Sequence, residues 1–140
     1  MIWSREYTVE ELNSRPIGHI GALIGIEFTE IGEDFISASM PVDERTFQPY
    51  GILHGGASVV LAESLGSVAS NMIVDSEKQI GVGLEVNANH LRAVKSGFVT
   101  GICKPIHIGG KTHVWDIKLY DERGKMSCIS RLTVAIIAKT

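Results

Sequence analysis

Glu63 is the residue whose setting most calls for a chemical explanation. It lies in GILHGGASVVLAES, residues 51–64, where a His-Gly-Gly turn runs into an apolar segment. A charged group in a buried helix is costly unless it is paired or hydrogen-bonded. The positions one helical turn away are Val59, Val60, Gly66 and Ser67, so no Lys or Arg stands ready as an ion-pair partner. That makes Glu63 a candidate catalytic carboxylate. His54-Gly55-Gly56, just before it, suits a second task. Glycines let a backbone N–H approach a ligand closely. A helix N-terminus also supplies unsatisfied N–H groups and a partial positive charge. Together these could hold a carbonyl oxygen that becomes negative. Gln48, in the same loop, is a further possible donor.

The other histidines are His19, His90, His107 and His113, and their spacing suggests no metal site. Gly109-Gly110 reads as a two-residue hairpin turn. It would pair Thr112 with His107 and His113 with Ile106, with the two histidines on opposite faces. Arg92 and Lys111 could hold a phosphate or stand as solvated loop charges. There is no dinucleotide or Walker glycine pattern, and no G-x-S-x-G elbow for a serine hydrolase.

These groups need a scaffold. Thr8 and Glu11 have capping-box spacing, predicting a short helix from Val9 to Ser14. Gly32 to Asp34 reads as a turn between two strands, the second with Ile36, Ala38 and Met40 alternating with Ser37 and Ser39. From Gly56 the period is helical, with Leu61, Leu65, Val68 and Met72 in one stripe. The face around Glu63 is mostly small: Gly56, Val59, Val60, Gly66, Ser67 and Ser70. Such a helix should be buried on more than one side. Strands follow. In the first, Val82, Leu84, Val86 and Ala88 are expected on one face, with Glu85, Asn87 and Asn89 on the other. Asp121 to Gly124 signals another hairpin. The order predicts an α+β fold, an antiparallel sheet packed on one long helix.

The chain has 140 residues, enough for one domain spanning 1–140. Its 44% hydrophobic and 21% charged content is an ordinary globular balance, and a net charge of −3 argues against a nucleic-acid partner. Cys103 and Cys128 form no CxxC pair and lie in apolar runs, which predicts buried free thiols. No stretch reads as a signal peptide or membrane span, so a reducing cytoplasm is the expected location.

The motifs MPVDERTFQPYGILHGGASVVLAES, VGLEVNANHLR and CKPIHIGGKTHVWDI, with SRLT near the end, resemble the hotdog-fold acyl-CoA thioesterases. The resemblance spans nearly the whole chain. It extends to the bacterial 1,4-dihydroxy-2-naphthoyl-CoA thioesterases of menaquinone synthesis, relatives of the 4-hydroxybenzoyl-CoA and phenylacetate-pathway enzymes. It implies a sheet wrapped around one long central helix, and subunits paired into a homodimer or a homotetramer built as a dimer of dimers. It also implies a site at the dimer interface, no cofactor and no metal. By resemblance, Glu63 is the nucleophile or general base and the Gly55 N–H is the oxyanion donor. Gln48 and His54 orient and polarise the thioester, and Ser67 positions the carboxylate or water. Gly83, His90, Leu91, Arg92 and Ala93, and His107, Ile108, Gly109, Gly110, Lys111 and Thr112, would line the acyl-CoA site. The implied reaction releases CoA from an aryl-CoA. Two other readings share the fold: a dehydratase or hydratase on acyl thioesters, and a non-enzymatic acyl-CoA sensor. The HGG turn and Gln48 favour hydrolysis over the first. The negative charge and the lack of a DNA-binding segment argue against a transcriptional sensor.

Overall fold

The computed structural model describes residues 1–14 and 19–140. Two short helices, α1 (Val9–Asn13) and α2 (Ile20–Leu23), precede the strands β1 (Glu27–Ile31) and β2 (Ile36–Pro41). The long helix α3 (Gly55–Ile73) follows, then β3 (Gln79–His90), β4 (Phe98–Ile108), β5 (Thr112–Tyr120) and β6 (Met126–Ala138). The six strands form one antiparallel sheet in the order β1-β2-β4-β5-β6-β3. The sheet curls around α3, which packs against β2 to β6. This is the hotdog arrangement expected from the motifs.

Local chemistry explains the ends of these elements. Thr8 Oγ1 accepts from the Glu11 N–H, and the Glu11 carboxylate accepts from the Thr8 N–H, so the predicted capping box is present. The Gly32–Asp34 turn joins β1 to β2, closed by Gly32 N–H donating to Phe35 O. At the β5–β6 turn Gly124 takes a φ of 77°, and Asp121 caps the turn through the Arg123 and Lys125 N–H groups. The core joins Leu61, Leu65 and Met72 of α3 to Trp115, Ile117, Leu119, Leu132 and Val134 of the sheet. Cys103 and Cys128 are buried free thiols within it. From Ala57 to Ile73 no residue of α3 is fully exposed, in keeping with a helix apolar or small nearly all round. Val68 is only half-buried, unlike the rest of its stripe.

Two register expectations are corrected. A β-bulge between Gly83 and Glu85 breaks the single alternation expected for β3. A bulge sets two residues against one and reverses the phase beyond it. Gly81 and Gly83 therefore face α3 on one side of it, and Val86 and Ala88 pack on the core on the other. Val82 and Leu84 are exposed rather than sharing a face with them. At the β4–β5 hairpin, Ile108 pairs with His113 and His107 with Val114, not Ile106 with His113 and His107 with Thr112. Gly109 N–H donates to Thr112 O at 2.9 Å, so the two turn residues are Gly110 and Lys111. A second bulge, between Pro105 and His107, moves the pairing by one position beyond it. His113 is buried and His107 exposed, on opposite faces as expected.

Candidate functional site

The loop before α3 is held by backbone bonds to its neighbours. His54 N–H donates to Thr46 O, Leu53 N–H to Val94 O and Val42 N–H to Gly97 O, each at 2.8 Å. Thr46 is buried and donates its hydroxyl to Pro41 O. Arg45 grips Asp43 with two nitrogens at 2.7 and 3.1 Å, and its guanidinium lowers the Asp43 carboxyl below the usual range. The chain therefore enters α3 on a fixed path.

His54 is the N-cap of α3, with φ −68° and ψ 130°. Its Nδ1 accepts from the Gly56 N–H at 2.7 Å. In a neutral imidazole the other nitrogen then carries the proton, so His54 presents Nε2–H as a donor. Ala57 and Ser58 N–H groups turn to His54 O. The Gly55 N–H finds no acceptor among the described residues. It is a free donor at the positive end of a 19-residue helix. The His90 ring lies against Gly55, where an added methyl group would meet Nε2 at 2.8 Å. Gln48 Oε1 accepts from the Tyr50 N–H, which leaves the Gln48 amide NH2 to donate. A cleft of about 390 Å³ joins Gln48, Gly55, His90, Leu91, Arg92 and Ala93. Six of the candidate residues thus converge on one cavity.

Glu63 and Ser67 lie elsewhere. They share a second cleft of about 390 Å³ with Val60, Ser64 and Val68 of α3 and with His19, Ile20, Gly21 and Ile26 from the N-terminal segment. Glu63 is half-buried and carries no ion pair among the described residues. Its carboxylate lies against Gly83, and a side chain at that position would occupy the same space. The cleft wall is apolar apart from the Glu63, Ser64 and Ser67 groups and the His19 ring. Eight residues of α-helix separate Glu63 from Gly55, about 12 Å along the axis. Within one chain the two groups cannot act on the same carbon.

The third candidate segment, His107 to Thr112, is the β4–β5 tip and borders neither cleft. Through β6 it sits at the Gln79–Gly83 end of β3, since Thr112 pairs with Ala135 and Ala135 with Val82. It is therefore on the Glu63 side of the molecule, far from His90. Among the described residues no group of three His, Cys, Asp or Glu side chains is placed to hold a metal.

Ser64, His19, Ile20 and Ile26 were not singled out from sequence. Ser64 lies about 100° from Glu63 on a helical wheel, outside the face taken as its neighbourhood. The other three come from α2 and its flank. His19 caps that helix by accepting from the Ala22 N–H, and no pattern in the sequence placed it beside α3.

The chain matches the thioesterase superfamily over residues 50–128, more than half its length. It is 52% identical to the 1,4-dihydroxy-2-naphthoyl-CoA hydrolase of Escherichia coli strain K12, over 98% of this chain and 100% of that one. It is 47% identical to the proofreading thioesterase EntH of Cronobacter turicensis, over 98% and 99% of the two chains. A crystal structure of a mutant thioesterase PA1618 from Pseudomonas aeruginosa superposes with a TM-score of 0.98 at 52% identity, covering 99% of this chain and 100% of that one. The thioesterase HI1161 of Haemophilus influenzae superposes with a TM-score of 0.94 at 46% identity, over 99% and 96%. The chain belongs to the thioesterase superfamily, as a hotdog-fold thioester hydrolase acting on acyl-CoA.

Proposed function

We propose that the protein hydrolyses an aryl-CoA thioester, 1,4-dihydroxy-2-naphthoyl-CoA or a similar aromatic acyl-CoA, at a site built from two subunits. The observation that carries this reading is the placement of an unpaired carboxylate and a free oxyanion donor in separate clefts of one chain. β3 is an edge strand of 12 residues. An edge strand that pairs with its own copy about a two-fold axis does so antiparallel. Its His90 end then meets the partner's Gln79–Gly83 end. That brings the Gly55 cleft of one subunit toward the Glu63 cleft and β4–β5 tip of the other.

In this arrangement the Gly55 N–H binds the thioester carbonyl oxygen, and Gln48 and His54 donate to the thioester from the same loop. Glu63, steadied by Ser67, attacks the acyl carbon or removes a proton from the water that does. When water attacks, its oxygen bonds the acyl carbon, the C–S bond breaks, and the proton taken by Glu63 passes to the departing CoA sulfur. When Glu63 attacks, the C–S bond breaks to leave a mixed anhydride, which a water then hydrolyses, supplying the oxygen of the free acid and the proton for the CoA sulfur. The acyl group takes the apolar cleft beside Glu63, whose volume lies within the usual range for small-molecule pockets. The 90–93 and 107–112 segments, with Arg92 and Lys111, receive the CoA moiety. The name of the Escherichia coli relative supports an aromatic acyl group, and with it a role in menaquinone synthesis. Two buried free thiols suit a reducing cytoplasm. Dimers pair in turn as a tetramer, the assembly expected from the family resemblance.

Thiol release from a panel of aryl-CoA, fatty acyl-CoA and carrier-bound thioesters tests the reading. Preference for aryl-CoA is expected. A preference for a carrier-bound or long-chain substrate would overturn the substrate assignment. Release of no CoA from any aryl thioester would overturn the proposed function.

A further inference from the structure

One buried polar cluster takes no part in the reaction above. Ser70 and His113 are almost wholly inaccessible, at 0% and 2% exposure, and Trp115 is at 0%. Trp115 Nε1 donates to Ser70 Oγ at 2.8 Å, and His113 Nδ1 lies 2.9 Å from the same oxygen. The two rings meet edge to face at 6.2 Å. An indole N–H can only donate, so Ser70 Oγ accepts from Trp115, and with the neutral His113 ring unprotonated at Nδ1 the Ser70 hydroxyl donates to that nitrogen. The other ring nitrogen then bears the hydrogen, and the Gly109 backbone favours the protonated ring. Burial lowers the His113 pKa, which favours this neutral form. His107 is the titratable group that acts on it electrostatically. Ser70 lies seven residues after Glu63, two turns further along the same face of α3. Gly109 closes the β4–β5 tip through its bond to Thr112 O, and the His107 ring packs against it.

We propose that His113 is a positioning residue for the coenzyme end of the substrate: bonded to Ser70, and next in the chain to Thr112, whose carbonyl holds Gly109, it fixes the β4–β5 tip to the helix that carries Glu63. A neutral imidazole offers the Ser70 hydroxyl the acceptor that this link requires. The other buried residues of β5 are Trp115, Ile117 and Leu119, and an aliphatic residue at 113 would fill the space without holding the tip. The proposal rests on the reading of residues 107–112 as the segment that receives CoA.

The test compares His113→Phe, Ser70→Ala and His113→Gln on one acyl group carried by CoA and by pantetheine, which lacks the nucleotide. Phe keeps a ring and removes the bond to Ser70, whereas Gln returns an acceptor to the Ser70 hydroxyl. Loss of one buried hydrogen-bond partner should raise KM for the CoA thioester about tenfold in the first two variants. Their kcat, and kcat/KM on the pantetheine thioester, should stay near wild type, and His113→Gln should recover most of the loss. Amide hydrogen exchange across Gly109–Thr112 should quicken in the same two variants. Equal losses on both substrates, or an unchanged KM, would overturn the proposal. If the wild type cleaved neither thioester, the hydrolase reading would fail instead, and unchanged exchange at the tip would still refute the link on its own.

Discussion

The Glu63 carboxylate rests directly on Gly83, with no room between them for a side chain. The two residues come from α3 and β3, and the bulge at Gly83/Glu85 is what turns the glycine toward the helix. A missing side chain on the strand thus sets the position of the acid on the helix.

Gly83→Ala should therefore displace the carboxylate while leaving its chemistry intact. A misplacement on the order of 1 Å costs about a hundredfold in rate. The expected result is a fall in kcat toward that size with little change in the thermal midpoint. Wild-type kcat in this variant would mean that Glu63 does not need its present position.

Glu63→Gln keeps the shape and removes the base. Turnover should fall roughly a thousandfold, the span of positioned acid–base catalysis. Substrate should still bind, as read by equilibrium titration. Near-native turnover would transfer the catalytic role to another group.

The oxyanion donor can be removed without leaving the helix. Proline lacks the N–H yet is favoured at the first helical position, and His54 already has the extended φ and ψ that a residue before proline prefers. Gly55→Pro should lower kcat about 10²–10³-fold. Gly55→Ala is the control, because it meets the His90 ring in the same way but keeps the N–H.

A site shared between chains predicts complementation. Glu63→Gln and Gly55→Pro subunits should each retain only a small fraction of activity alone. In a mixed dimer one of the two sites regains both native groups. Random pairing should restore roughly one quarter of wild-type activity. No recovery, with mixed dimers shown to be present, would place the whole site within one chain.

His113 also predicts a pH effect on stability. Burial lowers its folded pKa from the ordinary 6.5. Between the two values the unfolded chain binds a proton that the native chain does not, so stability falls as pH drops below about 6.5. The carboxyls of Asp43, Asp121 and Glu11 are shifted the same way from a lower starting point, and their contribution is lost only in more acidic solution. The thermal midpoint should thus drop between pH 7 and pH 5 by more in the wild type than in His113→Gln. Equal slopes would contradict the assignment.

Much of this architecture is legible in the residues because its signals are local. The Thr8–Glu11 box, the Gly32–Asp34 turn, the α3 stripe and the Asp121–Gly124 turn each depend on neighbours within one or two turns of chain. The bulges at Gly83/Glu85 and Pro105/His107 are not local in this sense. Each depends on how a strand must bend to meet its partner, and an inserted residue looks like any other in a row of alternating side chains. The candidate residues divide in the same way. His54, Gly55 and Gln48 share a loop and are found together. The distance from Gly55 to Glu63 follows from helix geometry alone. The nearness of His19 and Ile26 to Glu63 depends on how α2 packs, which the sequence pattern does not report.

The β3 bulge also makes one position of the strand dispensable. Gly83 pairs with Val134 and Glu85 with Thr133, so Leu84 is the residue with no partner opposite it. Leu84 is exposed, and exchanging it for another residue alters one outward side chain. Removing it would set Glu85 opposite Thr133 directly after Gly83 and restore strict alternation, with Gly81, Gly83, Val86 and Ala88 still on the face toward the helix. A single-codon deletion at this point would straighten the edge of the sheet and leave both its floor and its filling in place.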